Sequence, residues 1–94
     1  MTWKISFYKG VDDDLLNLPP KIQARIIRLL ELIEDHGPNL GPPHTKALGD
    51  GLFEIRAKAT EGIGRGIFCH LQNDEIYVLN IFVKKSQKTP RKEL

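Results

Sequence analysis

The chain has a single cysteine, Cys69, so no disulfide can form within it and no cysteine-based metal site can be built. Its three histidines, His36, His44 and His70, stand apart without ligand spacing, and no metal is expected. No apolar run approaches the length of a membrane-crossing helix, and Met1-Thr-Trp-Lys-Ile has none of the apolar character of a signal peptide. A cytoplasmic protein with no membrane partner is therefore expected. No glycine-rich loop opens a helix, because Gly62-Ile-Gly64-Arg-Gly66 lies between two strand-like segments, and no Ser-His-Asp set can be assembled. A lone strand cysteine with no histidine placed to activate it reads as a small packed residue. No cofactor is expected either.

What remains is an ordinary globular composition on a short chain. Ninety-four residues make one domain, 1–94, with a single modest core. The net charge of +2 is mild, but its distribution is uneven. Residues 1–50 hold six Lys/Arg against seven acids, a net of −1, and residues 51–94 hold eight against five, a net of +3. An anionic partner should dock on the second half.

The pattern predicts an α+β fold. Trp3, Ile5 and Phe7 alternate with polar residues in a first strand that Gly10 ends. Asp12-Asp-Asp14 supplies an N-cap and first-turn carboxylates for a short helix that Leu18-Pro19-Pro20 stops, and Pro20 suits the first position of a second helix. Ile22, Ile26, Leu29, Leu30 and Ile33 carry that helix to about His36, before Gly37-Pro38. Gly37 to Gly51 has no periodicity and reads as a loop holding His44 and Lys46. Three strands follow, Leu52–Lys58, Gly64–His70 and Ile76–Val83, with helices expected on one sheet face. In the first, Arg56 and Lys58 share the open face. In the second, Gly64 and Gly66 are expected to leave Arg65 accessible, and His70, an odd number of residues away, should point to the opposite face. Thr89-Pro90 is a helix start with only four residues after it.

Arg56, Lys58, Arg65, Lys84, Lys85 and Lys88 converge from three neighbouring segments, with Lys46 as an outlier. A solvated lysine rim that discourages sheet-edge aggregation has the same composition as a polyanion-binding face. Such a cluster can also do chemistry. Neighbouring cations lower a lysine's pKa toward use as a base, and an arginine can stabilise a pentavalent phosphorane.

Leu48-Gly-Asp-Gly-Leu-Phe-Glu-Ile-Arg56, Gly64-Arg-Gly-Ile-Phe68 and Phe82-Val-Lys-Lys-Ser-Gln-Lys-Thr-Pro90, in a strand, two-helix hairpin and three-stranded meander order, resemble the RelE/ParE toxin superfamily. More specifically they are similar to its phage-derived HigB-type branch. The resemblance implies the RelE-like fold and a toxin of a type II toxin–antitoxin pair acting as a ribosome-dependent mRNA endoribonuclease. It implies metal-free attack of the ribose 2′-OH on the adjacent phosphate. Catalytic roles would fall on Arg56, Arg65 and Lys84, and RNA binding on Lys46, Lys58, Lys85 and Lys88. The resemblance does not settle which group is the base, and Lys84 is taken as the base from its place at the end of the last strand. The implied partners are the ribosome, mRNA and a cognate antitoxin, a helix-turn-helix DNA-binding protein. Two other expectations stand beside this one: a ParE-like inhibitor of DNA gyrase, and, because the chain stops at Leu94, a shortened inactive toxin that only binds its antitoxin.

Overall fold

The computed structural model describes residues 2–84. The elements run β1 (Lys4–Phe7), α1 (Val11–Leu16), α2 (Pro20–His36), β2 (Thr45–Gly49), β3 (Leu52–Ala59), β4 (Gly62–Leu71) and β5 (Glu75–Lys84). The strands form one sheet in the order β1-β5-β4-β3-β2, antiparallel from β2 to β5, with β1 parallel to β5 at the far edge. The α+β class and the helix-covered sheet are as expected. The sheet, however, has five strands rather than four.

The additional strand, β2, occupies the stretch expected to be loop. Thr45 is its one buried residue, so no apolar alternation marks it, and it exists through its antiparallel ladder with β3. Asp50 and Gly51, both at positive φ, form the two-residue turn between the two strands, the Asp-Gly pairing that such hairpins favour.

The stripe Ile22, Ile26, Leu29, Leu30 and Ile33 makes α2 amphipathic, and all five are buried against the sheet with Ile55, Ala57, Phe68, Ile76, Val78 and Ile81. At about 1.5–3 kcal/mol for each large aliphatic side chain taken from water, this seam is the main stabilising layer. Gly64 and Gly66 lie on this face and not around Arg65. A side-chain carbon at Gly64 would collide with Ile22 Cγ2, so the glycine is there to let α2 approach β4. The N-terminus of α2 has no side-chain cap of its own, because Pro19 precedes it. Glu61, in the β3–β4 turn, supplies one: its Oε1 accepts from the backbone N–H groups of Lys21 and Ile22, both at 3.1 Å. The short α1 follows Gly10 instead of an aspartate cap, and Asp12, Asp13 and Asp14 fill its first turn. Trp3 closes the other end of the layer, with its ring edge-on to His70 at 5.0 Å and in contact range of Gly37.

Candidate functional site

The sheet's second face carries no helix, and strand register decides what meets there. From β3 to β4 the ladder is regular, and Arg56 stands directly opposite Arg65. From β4 to β5 it slips by one residue: Ile67 pairs with Asn80 but Phe68 pairs with Val78, leaving Leu79 as an extra residue in β5. The consequence follows from the two-residue period of a strand. Ile76 and Val78 are buried under the helices, yet beyond the bulge it is Ile81 that is buried, while Asn80 and Phe82 are exposed. Were β5 regular through Leu79, residues 80 and 82 would face α2; the bulge turns them to the face that holds Arg65.

The open face is therefore arranged in rows across the strands. Lys58, Ile63 and Lys84 form one row, Arg56, Arg65 and Phe82 the next, and Lys46, Glu54, Ile67 and Asn80 the third. With adjacent strands roughly 4.8 Å apart and a rise of about 3.4 Å per residue, Arg56, Lys58, Arg65 and the register position of Lys84 lie within about 12 Å of one another. Lys46 joins them from β2, across from Glu54, and is not the outlying loop residue its surroundings suggested. Lys85, Lys88 and the Thr89-Pro90 helix start lie outside the described residues. His70 does face away from Arg65, since the bulge is in β5 and β4 keeps its alternation.

At the centre of the cluster is Glu54, which the alternation of β3 puts on the same face as Arg56 and Lys58. Glu54 Oε2 accepts from Arg65 Nη1 at 3.0 Å, and Oε1 lies 3.8 Å from Arg56 Nε. The carboxylate is 12% exposed and Arg65 20%, so this pair is partly withdrawn from water and holds the Arg65 guanidinium in one orientation. Arg56, at 44%, remains largely open. Arg65 Nε is buried with no acceptor among the described residues, and such an unmet donor carries a desolvation cost of about 1–3 kcal/mol. The signal that could have found Glu54 is its odd spacing from Ile55 beside Arg56. Its partner on β4 depends on register.

Beyond the start of β2, past Pro43 and His44, the face continues round the edge of β3 into a groove of about 430 Å³. Leu29, Leu32, Ala57 and Ile63 line it together with Arg25, Arg28, Arg56 and Lys58. Arg25 and Arg28, solvated helix residues by their pattern, thus extend the cationic surface, although Arg28 is tied at 3.3 Å to Glu31 in an exposed pair worth little. Among the described residues no group of His, Cys, Asp and Glu side chains could hold a metal ion, and no helix is long and apolar enough to cross a membrane.

Residues 13–94 match the profile of the family described as phage-derived protein Gp49-like. The fold is similar to that of E. coli toxin RelE, solved as a mutant in the free state, with a TM-score of 0.67 and 8% identity over 86% of this chain and 82% of that one. It is similar to the toxin–antitoxin complex RelBE2 of Mycobacterium tuberculosis, with a TM-score of 0.65 and 17% identity over 89% and 100% of the two chains. The archaeal RelE–RelB complex of Pyrococcus horikoshii gives a TM-score of 0.64 and 21% identity over 88% and 96%. A search of curated proteins found no match.

Proposed function

The chain belongs to the phage-derived Gp49-like family and has a RelE-like fold, and from this premise we propose that it is the toxin of a type II toxin–antitoxin pair, of the HigB-type branch. Its activity is that of a ribosome-dependent mRNA endoribonuclease in the cytoplasm. The observation that carries the reading is the row of Arg56 and Arg65 on an open sheet face, held by Glu54 and flanked by Lys58 and Lys84. A phosphoryl transition state needs fixed positive charge where negative charge develops.

In this mechanism the ribose 2′-oxygen attacks the adjacent phosphorus and gives its proton to Lys84, the base. The O2′–P bond forms, the P–O5′ bond breaks, the departing O5′ takes a proton from solvent, to which Lys84 returns the one it accepted, and the products are a 2′,3′-cyclic phosphate and a 5′-hydroxyl. Arg65, oriented by Glu54, stabilises the pentavalent phosphorane, and Arg56 binds a non-bridging oxygen beside it. Lys46 and Lys58, with Lys85 and Lys88, hold mRNA or ribosomal RNA through phosphates. The cognate antitoxin, a helix-turn-helix DNA-binding protein, silences the toxin by covering this face or by docking on the helices; solved structures of similar fold include toxin–antitoxin complexes.

The test is induction of the chain and of Arg65→Ala in growing bacteria. Growth arrest with truncated mRNAs, relieved by the substitution while folding is retained, is expected. Accumulation of DNA-gyrase cleavage complexes in place of truncated mRNAs would replace this reading with a ParE-like one.

A further inference from the structure

Phe82 is a large apolar side chain left 40% exposed on the open face, directly across from Arg65 and in one row with Arg56. Its position has a specific cause. Ile76, Val78 and Phe82 have the same parity, so a regular β5 would bury Phe82 under α2 with the other two; the extra residue at Leu79 turns it outward. It shares that face with Arg56, Lys58 and Arg65 and with the half-buried Ile63 and Ile67, and unlike those two isoleucines its ring stands open to solvent. Beside it on the same strand, Asn80 is also exposed and points the same way, offering an amide donor and acceptor one row along.

We infer that Phe82 and Asn80 form a nucleobase subsite: an unstacked base of single-stranded RNA lies on the Phe82 ring while Asn80 meets its hydrogen-bonding edge. Single-stranded RNA is recognised in this way, through aromatic platforms set among cations that bind the backbone. Arg65 and Arg56 take the phosphates on either side of the stacked base, so the platform sets which nucleotide is presented to the reacting phosphate. This inference rests on the proposal that the face binds RNA and adds to it the place where a base is held.

The test uses the full chain and a fluorescein-labelled RNA hexamer with 2′-O-methyl riboses, which cannot be cleaved, in anisotropy titrations from 50 to 200 mM KCl. Phe82→Leu keeps an apolar side chain and removes the ring. It should bind about 5- to 150-fold more weakly, the range that loss of one base–aromatic stack produces, with the slope of log K against log salt unchanged. Arg65→Ala should instead make that slope shallower by about 0.7. Phe82→Trp should keep the affinity of the parent, and a 5-iodouridine hexamer irradiated on the protein should form its adduct at Phe82. Asn80→Ala should level the affinities for A, C, G and U hexamers. Phe82→Leu binding like the parent, or losing affinity together with a changed salt slope, would overturn the inference while leaving the RNA reading in place. Failure of the parent chain to bind any hexamer at 50 mM KCl would overturn both.

Discussion

Replacing Gly64 by alanine tests how α2 is seated on the sheet, and its effect can be worked from the packing. The added carbon would fall far inside 3.0 Å of Ile22 Cγ2, closer than real side-chain carbons approach, and would also sit 3.5 Å from Ile26 Cγ1 and Cδ1. Ile22 and Ile26 are both fully buried, so neither methyl can swing into solvent. Relief requires α2 to lift from β4 or Ile22 to leave its rotamer. Overpacking of this kind costs about 1–3 kcal/mol. For a domain of this length that lowers Tm by roughly 4–24 °C. Urea and thermal unfolding followed by circular dichroism would measure it. The sharper form is a double-mutant cycle. Ile22→Ala alone should cost about 2–5 kcal/mol, but it removes the methyl that collides, so the double variant should be less destabilised than the two effects added, by about 1–3 kcal/mol. A Gly64→Ala protein within about 0.5 kcal/mol of the parent, or strictly additive effects, would refute this account of the seam.

Other perturbations separate stability from the site. Glu61→Ala removes the carboxylate from the start of α2 and should cost about 1 kcal/mol in urea unfolding, with RNA binding unchanged. Gly51→Ala places a side chain at φ 78° in the β2–β3 turn; a loss of about 1–2 kcal/mol is expected, read in the same assay. Glu54→Ala frees both arginines from their carboxylate. RNA hexamers should then bind more tightly with a steeper salt dependence, while cleavage falls because Arg65 is no longer oriented; weaker binding would contradict the role given to Glu54.

What could be read from the chain follows from how each element is encoded. α2 was legible to within a residue at both ends, because its stripe repeats at helical spacing and Pro20 and Gly37 punctuate it. β3 was legible because Phe53, Ile55 and Ala57 alternate with Glu54, Arg56 and Lys58, and this also placed Arg56 and Lys58 on the open face. β2 was not legible, since Thr45 alone is buried and its neighbours are glycine- and proline-rich; a strand whose only support is its partner's ladder leaves no periodic trace. The bulge at Leu79 was hidden for the opposite reason. Ile76 to Val83 is apolar at almost every position, so a change of parity within it alters nothing in the pattern. That single slip determines whether Phe82 joins Arg65 or lies beneath α2. Glu54 was visible as a polar residue on the right face, but its pairing with Arg65 spans two strands and depends on their register. The family resemblance extended to residues that lie beyond the described strands, Lys85 and Lys88 among them.

The central claim is that Arg65, fixed on this open face, serves RNA cleavage on the ribosome. Primer extension on a defined mRNA, with and without programmed ribosomes, compares the chain with Arg65→Ala directly. The account predicts cuts that require the ribosome and disappear in the variant while its unfolding curve stays that of the parent. Cuts that persist in Arg65→Ala, or none from the parent chain under either condition, would contradict it.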